Sequence, residues 1–567
     1  MVPALAVAAV IGVTLFIGLR GVAAMRTTSD FLVASRRVTP LLNACAVSGE
    51  YLSAASFLGV AGLVLKNGMG ALWYPVGFAA GYILMLVLVA APMRRSGALT
   101  VPDFAEARLA SPSLRKLAAV VVLVIGALYL VPQFRTAGLV LSVVSATPYW
   151  LGVALAGGAV AATLALGGMR AATYVQAFQF VLKLLLFIIP AIWLLASVGD
   201  DVRDKALNPE EFTHFERDTT VTFRVDATLE PGGFVPAGSR MEFPAGSQVP
   251  QVVGATPPGG DAWQLPLLDL NGAGYPLLGT LAVLIATSLG TMGLPHVIMR
   301  FHTSPDGRAA RRTAAITVGL LGIFYLFPGI YGVLGRVLVP HLYLSGATDT
   351  AVVAMPLQVD DGWRGTLFTT LLTAGAFAAF LATSLGLLLA VSGAIAHDLS
   401  PGGLGRLRIT VLAAAAAVVV LALFAAPLDA GLLVTWGFTV AASTFSPLLV
   451  LGIWWPKLTA AGAIWGVSVG LLSSTAAIAV TLFGPPLSGV LAILTTQPAP
   501  WTVPLAAITM VVVSLRGRPP AWAMTAMLRL HLDEAREPMF QPRRGDRSAW
   551  YARRLSTVRR RLRRPGR

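Results

Sequence analysis

The stretch SLGTMGLPHVIMRFHT, Ser288–Thr303, closes an apolar run that opens near Tyr275, and it carries Gly290, Gly293, Pro295 and His296. In hydrocarbon, a backbone group released from a helix finds no water, so an interrupted span survives only where protein or a water-filled cavity surrounds the break. A second interruption is written into LLNACAVSGEYLSAASFLGVAGLVL, residues 41–65. There Ser48, Gly49, Glu50 and Tyr51 cluster near the middle, and Ser53, Ser56 and Gly59 follow.

The surrounding chain is 56% hydrophobic and 12% charged over 567 residues, which excludes a soluble domain with an ordinary surface. Windows of roughly 20 apolar residues, enough to cross about 30 Å of hydrocarbon, number about thirteen. They fall near 4–24, 40–65, 71–92, 115–144, 150–167, 174–197, 274–299, 313–339, 366–396, 409–426, 430–455, 460–483 and 501–515. The interrupted runs are the second and the seventh, so each opens a block of five spans, and an odd-numbered block inverts the topology of its successor. Paired interruptions at equivalent positions of inverted halves point to a secondary transporter with its site at the bilayer midplane. Half-helix N-termini at such breaks favour an anion, and freed carbonyls favour a cation. The predicted fold is an all-α polytopic membrane protein with a five-plus-five inverted-repeat core and two broken helices.

The division that follows is an N-terminal extra helix and first loop at 1–39, a transport core at 40–455 with repeats 40–197 and 274–455, and an insertion at 198–273. Two C-terminal helices at 456–515 and a basic tail at 516–567 complete it. Arg26, Arg36 and Arg37, then Arg94, Arg95, Arg108, Arg115 and Lys116, then Arg300, Arg308, Arg311 and Arg312 mark cytoplasmic loops by the positive-inside rule. A multi-pass plasma-membrane protein is expected, with its N-terminus outside and its C-terminus in the cytoplasm. The first span has no basic residue before its apolar core and reads as a retained helix, not a cleaved signal. The tail, ending in YARRLSTVRRRLRRPGR, carries most of the net charge of +16 and is expected to rest on anionic lipid. It has neither a folded reader nor interleaved aromatics, so no nucleic-acid partner is expected. In the insertion, TTVTFRVDATL, then Pro-Gly-Gly, then SRMEF alternate like short strands, giving either a β-hairpin cap or a disordered loop.

Enzyme chemistry finds no support. Cys45 is the single cysteine, and the six histidines show no HExxH or Cys/His spacing, so neither a metal site of that kind nor thiol chemistry is indicated. Gly167, Gly168 and Arg170 are followed by no GxxxxGK[ST] pattern, which disfavours an ATP-driven pump. No cofactor is expected beyond a coupling ion, Na⁺ or H⁺.

Two ionisable side chains stand out inside predicted spans, Glu50 and, in LYLVPQFRTAGLVLS, Arg135. Such groups are costly unless they face a partner or a cavity. Arg135, with Gln133 and Tyr129 on the same span, either grips a carboxylate through its planar fork or pairs with Glu50 or snorkels outward. Glu50 reads as a cation-site or proton-carrying group, a salt-bridge partner, or a packing residue. His296 is either a satisfied histidine or a proton relay, and Asp398 caps or anchors the end of its span. Phe57 and Tyr74 read as core.

The segments SGEYLSAASFLGVAGLV (48–64), GTMGLPHVIMRFHT (290–303), SGAIAHDL (392–399) and AASTFSPLLVLGIWWPKLTAAGAIWG (441–466) resemble the sodium:solute symporter family. Within it they are most similar to the acetate and short-chain monocarboxylate symporters, and TTSDFLVASRRVTPLLNA (27–44) is similar to the family's entry into its first core helix. The resemblance implies a LeuT-like fold and alternating access driven by an ion gradient, sodium first and proton second. It places the ion between the second and ninth spans, on the carbonyls of Gly49, Leu52 and Ala379 and the hydroxyls of Thr383 and Ser384. The family pattern has two adjacent hydroxyl residues where this chain reads Ala382 and Thr383, so one expected ligand is missing. The partners implied are a small organic anion and a cation, with the anion beside Tyr51, Ser53, Ser56, Gly293 and His296. A same-fold symporter for another solute such as proline is the nearest alternative. An ion channel or a transporter-like sensor is the alternative of a different class.

Overall fold

The computed structural model describes residues 2–20, 27–208, most of 214–255, 260–425, 430–485, 487–519 and 523–532. Among these, ten helices are long and apolar enough to cross a membrane, and two further bent pairs qualify together. One of the ten, Tyr149–Ser197, has 49 residues and would run about 73 Å at 1.5 Å per residue, over twice the hydrocarbon thickness. It is kinked at Gly168, whose φ of 53° and ψ of −154° suit only glycine, and it therefore makes the fifth and sixth spans. Ten, plus two bent pairs, plus this division gives the thirteen expected.

The second span is helical over Pro40–Tyr51, leaves the helix at Leu52 and Ser53, and resumes over Ala55–Asn67 at an angle of 65°. Pro40 opens it at a position where no N–H is needed, and Gly68, at φ 75°, ends it against the Trp263 carbonyl. The seventh span departs from the expected symmetry. It is interrupted only at Leu294, between Pro276–Gly293 and Pro295–His302, and otherwise continues as one span. A one-residue break with proline at the first position of the next helix lets the axis carry on. A further bend, of 61°, lies between Gly489–Thr496 and Ala499–Leu515, where an unbroken span was expected.

The ninth span, Trp363–Gly393 continuing to Leu399, is buried throughout its apolar window and forms the centre of the molecule. It packs along the sixth span, which in turn packs on the first half of the second. At Gly49 this packing is backbone to backbone, since an added Cβ would overlap the Gln176 carbonyl. The insertion forms two small antiparallel sheets. Thr219–Thr222 pairs with Arg240–Phe243, and Ala227–Glu230 lies between Gly233–Val235 and Gln251–Val252. Phe215, Val221, Phe223 and Leu229 form its apolar core together with Tyr343 and Leu344, which belong to the short helix Pro340–Ser345. Of the two readings open for the insertion, a hairpin cap or a disordered loop, short strands are the one seen, though the first of them pairs past its neighbour. The helix Ala523–Leu532 buries Leu530 and sets His531 against Trp454, so the start of the region expected as a solvated tail is docked. Residues 533–567, with the basic run, lie outside the described residues.

Gly49→Ala is expected to destabilise the protein by about 1–3 kcal/mol through overpacking against backbone that cannot rotate away. A lowered unfolding temperature in detergent would show this, and an unchanged one would contradict the close approach.

Candidate functional site

In a continuous helix the carbonyls of residues 49 to 52 would accept from the N–H groups of residues 53 to 56. The break redirects those donors. Ser53 N–H turns to Tyr51 O at 2.7 Å, Ala54 N–H to Gln133 Oε1 at 3.0 Å, and Ser56 N–H to Ser53 O at 3.1 Å. Buried carbonyls left this way require partners. Glu50 O receives the Thr383 hydroxyl at 2.5 Å from the ninth span. Gly49 O and Leu52 O receive the ammonium of Lys183, at 2.5 and 2.7 Å, from the sixth span.

Lys183 is fully buried, and so are Gln176 and Thr173 on the same face of its helix. It lies in FVLKLLLFII and escaped the sequence reading, which counted only Glu50 and Arg135 as ionisable groups within spans. The signal was present: a lysine midway along an apolar span calls for a partner. The expectation for Arg300 is corrected as well. It is no loop residue but is buried, with Nε 2.5 Å from Glu50 Oε2 and NH1 2.9 Å from Thr173 Oγ1, and it also donates to Gln176. Gln176 in turn donates to Ala382 O at 2.6 Å and contacts Glu50 at 3.4 Å. Of the roles open to Glu50, salt-bridge partner is therefore the one seen, although Oε1 has no hydrogen-bond partner.

Beyond the break, Tyr51, Phe78, Tyr82, Tyr129 and Phe438 pack ring to ring at centroid distances of 4.7 to 6.3 Å. His296 joins Tyr129 at 5.5 Å. Tyr51 is hydrogen-bonded to Thr291 at 2.7 Å, Ser56 to Tyr325 at 2.9 Å, and Tyr129 to Ser53 at 3.3 Å. Among the described residues, both ring nitrogens of His296, the Tyr82 hydroxyl and the Ser384 hydroxyl are buried with no hydrogen-bond partner. Gly293, in the break of the seventh span, packs against Ala441 O and Ser446. The structure thus brings together Tyr51, Ser53, Ser56, Gln133 and His296. Ala379 and Ser384 are buried in the ninth span, one turn before and one residue after Thr383. Phe57 packs on Phe187 and Phe324, as a core residue.

Arg135 does not pair with Glu50. Its NH1 is 3.1 Å from Asp349 Oδ2, in the segment that follows the helix carrying Tyr343, so this pair sits on the insertion side of the break. On the opposite side, Arg115 is buried against Asp103 at 2.8 Å, Glu106 at 2.7 Å and Asp398 at 2.7 Å, while Thr100 and His397 complete the cluster. Burial alone would raise the Asp103 carboxyl, but the His397 ring and the Arg115 guanidinium outweigh it and hold the group below the ordinary aspartate range. Asp103, His397 and Asp398 lie close enough to share a metal ion, yet Arg115 already supplies their countercharge.

A broken span with buried ion pairs on either side of it, in a five-plus-five helical core, is the architecture of a secondary transporter. The chain belongs to the sodium:solute symporter family, whose model matches residues 31–232 and 270–470 and passes over 233–269 within the insertion. It is a multi-pass, cation-coupled solute symporter. An uncharacterized symporter of Bacillus subtilis (strain 168), YwcA, is 28% identical over 477 residues, covering 82% of this chain and 83% of that protein. Solved structures of the same fold include a substrate-bound, outward-open Na⁺-coupled sialic acid symporter (TM-score 0.67, 14% identity, 92% of this chain and 98% of that one). Others are MHP1, a nucleobase-cation-symport-1 transporter (0.53, 12%, 89% and 99%), and MhsT in complex with L-phenylalanine (0.51, 15%, 83% and 98%).

Removing one member of the Glu50–Arg300 pair strands a buried charge, so Arg300→Met is expected to cost about 3–5 kcal/mol. Adding Glu50→Gln should restore much of that loss. Thermal unfolding of the two single variants and the double variant checks it, and additive losses would contradict direct pairing.

Proposed function

We propose that the protein takes up acetate or a related short-chain monocarboxylate across the plasma membrane with a coupling cation, its N-terminus outside and its basic tail in the cytoplasm. The supporting observation is the ring cluster beside the break, in which the Tyr82 hydroxyl and the His296 nitrogens are buried without partners. An unmet buried donor carries a penalty of about 1–3 kcal/mol, which a ligand that accepts hydrogen bonds would relieve. Closely packed aromatic walls suit a solute with a small apolar body and a single polar end, and the N-terminus of the half-helix that begins at Ala55 favours a negative one. Arg135 is spent on Asp349, so in this reading it serves the closure on the insertion side and not the carboxylate.

Within the cycle, Thr383 and Lys183 fix the break against the ninth and sixth spans, and the solute binds between the break and the seventh span. Rocking of one bundle against the other then exchanges the two ion-paired closures, with Arg135–Asp349 parting as the Arg115 cluster holds, and the reverse.

Labelled acetate should accumulate in proteoliposomes under an imposed cation gradient, and excess pyruvate or propionate, but not proline, should block it. His296→Ala should raise the apparent KM about tenfold, the size expected for one lost buried hydrogen bond. Block by proline would move the substrate class to amino acids, and no accumulation under either a sodium or a proton gradient would reject the monocarboxylate.

A further inference from the structure

We propose that the ammonium of Lys183 is a tethered cation occupying the ion position between the second and ninth spans, so that this site operates without a sodium ion. The inference rests on reading the break as part of a transport site, but not on the identity of the solute.

Three observations converge. First, the two carbonyls that Lys183 binds, Gly49 O at 2.5 Å and Leu52 O at 2.7 Å, are those the family resemblance assigns to the ion. They are two of the three left without backbone donors when the N–H groups of Ser53, Ala54 and Ser56 turn elsewhere. Second, Lys183 is fully buried and pairs with no carboxylate among the described residues, so its charge is met by these oxygen dipoles. A hard monovalent cation asks for the same surroundings. Third, the opposite wall is largely committed elsewhere, although the Ser384 hydroxyl has no hydrogen-bond partner among the described residues. Ala382 stands where the family has a hydroxyl, and its carbonyl is taken by Gln176 at 2.6 Å. The Thr383 hydroxyl is directed to Glu50 O at 2.5 Å. These changes belong together: when the chain supplies the cation, a full set of ligands is redundant.

Two like charges on one pair of carbonyls in a low-dielectric interior repel strongly, so sodium and the ammonium exclude each other there. Lys183 shares a helix face with Thr173 and Gln176, both tied to Arg300, which holds the stem in place. The break is accordingly preassembled against the ninth span. Whatever ion drives uptake enters the cycle at another place.

The test is binding of ²²Na⁺ to purified protein in detergent without any solute, by scintillation proximity, for wild type, Lys183→Ala, Thr383→Ala and the double variant. Wild type should show no saturable binding that Thr383→Ala reduces. Lys183→Ala should gain saturable binding at least about tenfold tighter than any in wild type, and the double variant should lose it. Sodium chloride, and not choline chloride, should raise the unfolding temperature of Lys183→Ala alone. Saturable wild-type binding that Thr383→Ala weakens would overturn the proposal, as would a monodisperse Lys183→Ala that gains none. If Lys183→Ala cannot be recovered folded, the comparison of wild type with Thr383→Ala decides by itself. No solute enters the assay, so failure of the monocarboxylate reading would not imitate either result.

Discussion

The structure depends on how four consecutive carbonyls, Gly49 to Leu52, are satisfied once their helix stops in the membrane interior. In a low-dielectric interior each buried carbonyl left bare would cost more than a surface hydrogen bond returns. One is met within the break, by Ser53 N–H, and three by side chains from the ninth and sixth spans, Thr383 and Lys183. Those partners dictate the packing. The sixth span must come close enough for a lysine stem to reach, which is why position 49 has no side chain. The ninth span must lie against the break at Thr383, within the stretch of that helix that is buried on every face. The Glu50 side chain lies against Gln176 of the sixth span and Gly386 of the ninth, and it brings in Arg300 and through it the second half of the seventh span.

Transport requires that this rigid centre be opened from either end in turn. The two closures differ in kind. Opposite the insertion, Arg115 holds three carboxylates around it and links the fourth span to the end of the ninth. On the insertion side the Arg135–Asp349 ion pair bridges the fourth span to a short segment whose preceding helix is packed against the β-structure. Val252 N–H is bonded to the Tyr343 hydroxyl at 3.1 Å, so the insertion is anchored to the element next to the closure.

Much of this was legible in the sequence. Glycine, serine and glutamate in the middle of an apolar run have few explanations other than a break, and the thirteen spans followed from hydropathy and length. The charged partners of the break, Lys183 and Arg300, were not legible, because they come from elements over a hundred residues away and carry no local pattern. Lys183 sits between long apolar stretches that dilute it in any window average. Arg300 lies at the end of its span among other arginines, where the positive-inside rule assigns it to a loop. Asp349 falls in a segment with no periodic signal. Symmetry also misled: Gly290, Gly293 and Pro295 promise a break as deep as that at Leu52, yet proline at the head of the following helix lets the seventh span run on.

The most direct test of the central claim is a cryo-electron microscopy map of the protein in sodium buffer, at a resolution that separates side chains from ions. The account predicts continuous density from the sixth span to the carbonyls of Gly49 and Leu52, ending in the Lys183 ammonium. An isolated ion peak on those carbonyls, with Lys183 turned away, would contradict it.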